Sequence, residues 1–167
     1  TFAFFDTGFR VLNGEHPFKD YWAVSGPFID YSQAFLFYLF GVNWLVYLIN
    51  PSILNVVLVL STFHLFKKLN IANNTNLFFC LCLAILAYPN SGTPFVDHHS
   101  AFLSIIGIYI FYFAILNNIL FIWFIIPPIF SFAFLSKQIP SSFVVLTFIL
   151  SLFYHLILNK RDYNLKV

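Results

Sequence analysis

The chain has 167 residues, of which 60% are hydrophobic and only 8% are charged, and its mean hydropathy is +0.86. A soluble chain of this size could not bury so much apolar surface, so the composition excludes an ordinary soluble domain and indicates a membrane protein. The net charge of +2 gives no reason to expect a nucleic-acid partner. We therefore expect one all-α domain over residues 1–167, a polytopic transmembrane helical bundle surrounded by membrane lipids.

Helix-breaking residues divide the chain into a polar loop, a short helix and a series of apolar runs. Residues 6–27 contain Gly and Pro at intervals typical of a folded loop. Residues 28–41 are too short and too polar to cross a membrane, and are typical of a helix at the membrane surface. We predict about five membrane-spanning helices after them. These spans cover residues 43–66, 71–88, 100–116, 119–135 and 141–158.

Basic residues predict the orientation of these spans. One side receives Lys67, Lys68, Lys160, Arg161 and Lys166. The positive-inside rule makes that side cytoplasmic. Loop 6–27, loop 89–99 and the turn at Lys137 then share the opposite, outer side. If residues 28–50 formed a full span instead, the two loops would lie on opposite sides of the membrane, and this alternative stays open.

Acidic residues are concentrated on the outer side. Five of the six are Asp6, Glu15, Asp20, Asp30 and Asp97, and the sixth, Asp162, lies in the basic tail. A carboxylate just outside a span acts as a general base when low dielectric and neighbouring groups set its pKa. A loop folded by Gly and Pro can bring Asp6 and Asp20 near each other. The alternative is that these side chains are solvated loop charges.

A second polar group consists of Asp97, His98 and His99. A carboxylate beside imidazoles suits Zn²⁺, Mn²⁺ or a proton relay. The alternative is that one histidine makes a hydrogen bond at the head of the next helix, with Asp97 near the N-terminal end of the helix dipole. These residues are the candidates for a divalent metal ion, and the sequence leaves open whether any cofactor is bound.

A third candidate is Lys137, followed by Gln138, at the outer end of a span. A lysine in this position either extends to the lipid headgroups or binds a phosphate as a point charge. Arg10 and Lys19 lie on the same predicted side of the membrane. Their presence favours the phosphate interpretation.

A longer pattern covers the first outer loop and the short helix after it. It reads Asp6-x-Gly8, Gly14-x-x-Pro17-Phe18-x-Asp20, Gly26-Pro27 and Phe40-Gly41. This order resembles the first outer loop of integral-membrane glycosyltransferases of the GT-C fold. The likeness is to the bacterial branch related to protein O-mannosyltransferases and to the aminoarabinose transferase of lipid A. The pair Lys137-Gln138 also resembles a pattern in those members.

The resemblance implies an enzyme of the bacterial inner membrane with its acidic loops in the periplasm. It implies transfer of a sugar from a polyprenyl-phosphate donor to a lipid, a glycan or a protein. By this likeness Asp6 is the general base for the acceptor hydroxyl, and Asp20 is a second acid that shapes the site. The remaining candidates, which would bind substrate, are Arg10, Lys19, Lys137, Asp97 and His98.

Two departures from the family pattern matter. Many members carry a second acid directly after the first, where this chain has Thr7. Members are also much longer and begin with a transmembrane helix, whereas this chain opens at Thr1 and runs straight into Asp6. We therefore expect the chain to be a fragment that is inactive alone.

Two other functional classes stay open at the level of sequence. A transporter or flippase for a lipid-linked or anionic substrate would carry charged residues within its spans and inverted repeats, and neither pattern is evident here. A membrane scaffold would have no need of clustered outward carboxylates. The change Asp6→Asn separates an enzyme from a scaffold, because only the enzyme would lose its activity.

Overall fold

The computed structural model of the chain describes residues 2–23, 25–117 and 120–164, without the side chains of residues 155 and 158–164. Part of the predicted orientation depends on Lys160, Arg161 and Lys166, which lie outside the described side chains, as does Asp162. Seven α-helices and no strand occur in the described ranges. This result confirms the all-α prediction.

The helices follow one another with short connections. They are α1 (Ala3–Leu12), α2 (Phe28–Phe40), α3 (Trp44–Lys68), α4 (Asn73–Leu86), α5 (Val96–Asn117), α6 (Leu120–Ser136) and α7 (Gln138–Asn164). Helix α1 differs from the prediction of a loop beginning at residue 6. Its one glycine, Gly8, is buried against α2, and Asp6 pairs with Arg10 one turn later, which stabilises the helix. The loop begins only at Asn13-Gly14, where Gly14 has φ +91°.

Two of the helices are long and apolar enough to cross a membrane. Helix α3 has 25 residues and α5 has 22. At 1.5 Å per residue they are about 37 and 33 Å long, against about 30 Å for the hydrocarbon core of a bilayer. The other apolar helices, α4, α6 and the Gln138–Tyr154 part of α7, have 10–17 residues. By length and composition, α3 and α5 support an association with a membrane.

Helices α3, α4 and α5 pack side by side through polar contacts as well as apolar ones. Asn55 of α3 donates a hydrogen bond of 2.9 Å to the Ala84 carbonyl near the end of α4, and Asn76 near the start of α4 donates one of 3.0 Å to the Phe63 carbonyl further along α3. These two helices are therefore antiparallel.

Helices α3 and α5 run in the same direction. His99 near the start of α5 contacts Asn50 near the start of α3, and the Thr62 hydroxyl donates to Tyr109 further along both helices. Helices α3 and α5 are therefore parallel.

Helices α6 and α7 complete the bundle. The ring of Phe130 in α6 lies against Gly107 of α5. The ring of Phe148 in α7 lies 4.6 Å from that of Phe111 in α5 and 5.1 Å from that of Phe130. Because successive helices alternate in direction, the starts of α3, α5 and α7 and the ends of α4 and α6 meet at one end of the bundle, here called the polar end.

Helix α2 packs on the polar end through a side that carries both polar and apolar residues. Asp30, Gln33 and Phe37 on this side are at most 3% exposed, whereas Phe35 and Tyr38 on the other side are 61% and 76% exposed. A surface helix in a soluble protein would place polar residues on the outer side instead. An exterior of large apolar side chains fits lipid better than water.

The loop before α2 is docked on the end of α6. Gly26 is buried, and a Cβ atom at this position would collide with the backbone carbonyl of Leu135. Next to it, the ring of Phe28 stacks on that of Phe132 at 5.0 Å. Only a residue without a side chain allows this approach, so Gly26 fixes the loop to the bundle.

We expect Gly26→Ala to destabilise the protein by about 1–3 kcal/mol, because the added methyl group forces the loop away from α6. The measurement is the thermal unfolding midpoint of the purified chain in detergent, with Ser25→Ala as the neighbouring control. Equal midpoints for the wild type and Gly26→Ala would contradict the close approach of the loop to α6.

Candidate functional site

Asp6, the predicted general base, lies on the exposed side of α1 and is held by Arg10. The guanidinium donates to the Asp6 carboxylate at 2.9 Å and lies 3.5 Å from the carboxylate of Glu15. It also lies over the Tyr21 ring, 5.7 Å from its centroid, in cation–π contact. The hydrogen bond from Arg10 to Asp6, with the charges of both acids, raises the pKa of the Arg10 guanidinium. Asp6 is thus solvent-accessible and already has a cationic partner.

Asp20, the second predicted acid, lies at the surface in a tight turn of the loop. Its carboxylate accepts a hydrogen bond of 2.8 Å from the backbone N–H of His16, and the His16 ring lies 3.2 Å from the Tyr31 hydroxyl of α2. The neighbouring Lys19 is exposed and forms no ion pair with any described residue. In the described part of the chain no hydrogen bond joins Asp6 directly to Asp20.

Asp30 is the buried acid of the polar end. One of its oxygens accepts a hydrogen bond of 2.6 Å from the Thr7 hydroxyl, and the other accepts one of 2.9 Å from the Tyr21 hydroxyl. Burial raises the pKa of the Asp30 carboxyl, although the two hydrogen bonds act in the opposite direction. Burial, followed by the hydrogen bond to Asp30, also raises the pKa of Tyr21. The carboxyl therefore ties α1 and the loop to α2.

One turn further along α2, a chain of buried amides and imidazole reaches α5. The side-chain nitrogen of Asn50 donates to Oε1 of Gln33 at 3.0 Å, and Oδ1 of Asn50 lies 3.1 Å from Nε2 of His99. The other ring nitrogen of His99 lies 3.0 Å from the Phe95 carbonyl. All three side chains are at most 7% exposed. The amide nitrogen of Gln33 has no partner among the described atoms.

The three candidate metal ligands do not converge in the structure. Asp97 is paired with Lys137, and the two ring nitrogens of His99 lie against the carbonyl oxygens of Phe95 and Asn50. The His98 ring packs against Phe102 at 5.7 Å, and its Nδ1 is buried without a partner. Over the described ranges, no group of three His, Cys, Asp or Glu side chains could hold a metal ion. The geometry favours the alternative in which the His99 ring makes a contact with the backbone at the start of α5 and Asp97 lies in the first turn of that helix.

Lys137 links three helices at the polar end. Its ammonium group forms an ion pair with Asp97 in the first turn of α5. Its backbone carbonyl accepts hydrogen bonds from the Ser100 hydroxyl of α5 at 3.2 Å and from the Ser141 hydroxyl of α7. Lys137 is half-buried, so its charge is accessible at the surface.

The structure therefore places the sequence-predicted residues in two groups at the polar end. One group lies on α1 and the loop, namely Asp6, Arg10, Lys19 and Asp20. The other lies at the start of α5 and after α6, namely Asp97, His98 and Lys137. Helix α2 lies between the groups, with Phe28 against α6 and Gln33 bonded to α3.

Two residues that connect the groups through α2 were not identified from the sequence. Thr7 connects α1 to α2, and Asn50 connects α2 to α5. Asn50 could have been found, because a polar residue within an apolar run usually has a buried partner.

Comparison with known protein families, with curated proteins and with solved structures finds no match for this chain. The resemblance of residues 6–41 to GT-C glycosyltransferases therefore stays a prediction. What the structure contributes is the relative position of the charged groups at the polar end.

We expect Asn50→Leu to destabilise the chain by about 2–5 kcal/mol, since it leaves buried polar groups of Gln33 and His99 without partners. The measurement is the free energy of unfolding in mixed detergent micelles. Asn74→Leu, at an exposed position of α4, is the matched control and should change the stability by less than about 0.5 kcal/mol. A similar small change for Asn50→Leu would rule out an energetic role for the buried chain.

The burial of Asp30 also predicts a dependence of stability on pH. Because its pKa is higher in the folded chain than the ordinary value of 3.8, the folded state binds the proton more tightly than the unfolded state. The resulting stabilisation is complete below pH 3.8 and is lost as the pH rises through the higher folded pKa. Asp30→Asn lacks this titration. We expect the unfolding midpoint of the wild type to fall relative to that of Asp30→Asn as the pH rises from 3.8 towards neutrality, and parallel profiles would contradict the expectation.

Proposed function

We propose that the chain is the catalytic membrane region of a GT-C-type glycosyltransferase. In this proposal it transfers a sugar from a polyprenyl-phosphate donor to the hydroxyl group of a lipid, glycan or protein acceptor. Five helices, α3 to α7, would cross the bacterial inner membrane, and α2 would lie at its outer surface. The polar end would face the periplasm, with Lys67 and Lys68 at the opposite, cytoplasmic end of α3.

The observation that carries this proposal is the gathering of acids and bases at the polar end. Asp6, Asp20 and Asp97 are there, each at least partly accessible, and Arg10 and Lys137 lie beside them. Transfer from a glycosyl phosphate requires both kinds of group. A carboxylate removes the proton from the acceptor, and cations stabilise the charge that develops on the departing phosphate.

In the proposed reaction the acceptor oxygen attacks the anomeric carbon of the sugar. Its proton passes to the Asp6 carboxylate as the new C–O bond forms. The bond from the anomeric carbon to the phosphate oxygen breaks, and polyprenyl phosphate leaves with the electron pair. Because phosphate is a good leaving group, a single base acting on the acceptor is sufficient. Asp20, in the loop that follows α1, would help to shape the acceptor site.

Arg10 gives the reaction a way to activate Asp6. Before the donor binds, the guanidinium is shared between the carboxylates of Asp6 and Glu15. A donor phosphate is a strong competitor for a guanidinium, because it accepts two parallel hydrogen bonds. Movement of Arg10 onto the phosphate would free Asp6 to accept a proton. Lys19 and Lys137 would add further positive charge, and Asp97 and His98 would complete the substrate-binding surface.

The four helices α3 to α6 carry no Asp, Glu, Lys or Arg between their first and last turns, and this pattern does not favour the alternative of a transporter. In α3 the charged residues are Lys67 and Lys68 in its last turn, and in α5 the charged residue is Asp97 in its first turn. Helices α4 and α6 contain no Asp, Glu, Lys or Arg. A path for an anionic substrate would need charged groups along the spans rather than at their ends.

The decisive experiment is a transfer assay in membranes with the longest natural form of the protein and radiolabelled polyprenyl-phosphate sugars. We expect Asp6→Asn to lower the rate at least about a thousandfold, because the amide cannot accept the proton. Glu15→Gln is the matched control, since it removes a different carboxylate from the same arginine. We expect Glu15→Gln to retain activity within about threefold.

Equal loss of transfer in Asp6→Asn and Glu15→Gln would mean that release of Arg10, not removal of a base, explains the effect. Full activity of Asp6→Asn would exclude Asp6 as the base. Failure of the wild type to use any polyprenyl-phosphate sugar would overturn the proposed function.

A further inference from the structure

We propose that Asp30 is the positioning residue of the site, holding the two acids of the proposed reaction, Asp6 and Asp20, at a fixed separation. This inference rests on the proposed function for its chemical meaning. Its structural content, that one buried carboxyl fixes both α1 and the loop, can be tested without any assay of sugar transfer.

Asp30 is hydrogen-bonded to the residue that follows each of the two acids in the chain. The Asp30 oxygens accept hydrogen bonds from Thr7 at 2.6 Å and from Tyr21 at 2.9 Å. Thr7 directly follows Asp6 in the chain, and Tyr21 directly follows Asp20. Each hydroxyl that binds Asp30 is therefore one residue away from one of the two acids. A single rigid carboxyl group connects the backbone segments from which both acids project.

The surroundings make this connection stiff. Asp30 is 3% exposed, so water does not compete for its oxygens. Gly8, the residue after Thr7, packs so closely on α2 that a Cβ there would lie 2.7 Å from Cγ of Gln33. Two consecutive residues of α1 thus face α2, one through a hydrogen bond and one through close packing.

A purely structural ion pair does not explain Asp30. None of the ion pairs between described residues involves Asp30. The Thr7 and Tyr21 side chains that donate hydrogen bonds to it are neutral hydroxyls. Burying a carboxyl is costly unless it is hydrogen-bonded. An asparagine or a leucine would occupy the same space with a lower desolvation cost. Neither side chain, however, can accept two hydroxyl hydrogen bonds on two separate oxygens. The carboxyl is the group that joins both segments at once.

Tyr21 extends the effect to the cation. Its hydroxyl is fixed by Asp30, and its ring lies under the Arg10 guanidinium, whose carbon is 5.7 Å from the ring centroid. The position of the ring therefore also limits where Arg10 can go. Asp30 thus acts on Asp6, Asp20 and Arg10 through Thr7 and Tyr21, since no hydrogen bond or ion pair between described residues joins it to them directly.

The first test is amide hydrogen exchange of the full chain in nanodiscs, comparing the wild type with Asp30→Ala. We expect exchange to become at least about tenfold faster in residues 3–12 and 13–23, because both segments lose their anchor. Exchange in α4 should be unchanged, which shows that the bundle remains folded. Unchanged exchange in both segments would overturn the proposal, and so would a loss of protection throughout the chain with the milder variant Asp30→Asn.

The second test uses the two hydroxyl donors and measures transfer kinetics. Thr7→Val and Tyr21→Phe each remove one hydrogen bond to Asp30 with little change in shape. We expect each to lower kcat by roughly 10- to 100-fold while the donor KM stays within about threefold, since a displacement near 1 Å costs about this much. Thr7→Ser keeps the hydroxyl and should retain the wild-type kcat. Tyr38→Phe, at an exposed position of α2, is the control for Tyr21→Phe.

The two tests distinguish failure of the proposed function from failure of the positioning role of Asp30. If the wild type transfers no sugar, the proposed function fails, and the exchange experiment still decides whether Asp30 fixes α1 and the loop. If the wild type is active but Thr7→Val behaves like Thr7→Ser, the hydroxyl has no role and the positioning proposal is overturned. A rise in donor KM with unchanged kcat would also overturn it, because that result indicates direct binding of the donor.

Discussion

The arrangement of the polar end depends on one constraint, which is that α2 must bury a carboxyl and an amide. Asp30 and Gln33 lie on the inner side of the helix, and each needs partners from another segment. A buried polar group without a partner costs about 1–3 kcal/mol. Thr7 and Tyr21 satisfy Asp30, and Asn50 satisfies the carbonyl of Gln33. The need to satisfy two side chains thus fixes α1, the loop and α3 around α2.

This constraint explains why the charged groups of the site are displayed and not buried. The buried carboxyl of Asp30 is satisfied by two neutral hydroxyl donors, and the side chains from Gln33 to His99 form a separate neutral chain. Asp6 and Asp20 are left at the surface, where they find partners on their own segments. At rest, Arg10 is balanced by two carboxylates and Lys137 by Asp97. A substrate with a phosphate group would have to displace these pairs, so recognition would involve exchange of partners and would weaken with added salt.

The sequence predicts a large part of this fold, because the helices are separated by residues that stop helices. The helix predicted at 28–41 corresponds to α2, since Pro27 and Gly41 bracket it, and its position at a membrane surface stays a prediction. The sequence could not reveal that Asp6 lies on a helix, because a few apolar residues before a polar loop do not show whether they pack on anything. It also could not reveal the partners of Asp30 and His99. Contacts such as that of His99 with Asn50 join residues 49 positions apart, and no local pattern encodes such a pairing.

That long separation has a consequence for how the protein is made. Residues 33 and 50 leave the ribosome well before residue 99, so Gln33 and Asn50 have each other but not His99 while α3 and α4 are being synthesised. The polar end cannot reach its final form until α5 is in place beside α3. Chains arrested between α4 and α5 would therefore leave the amide pair of Gln33 and Asn50 without the imidazole that completes it.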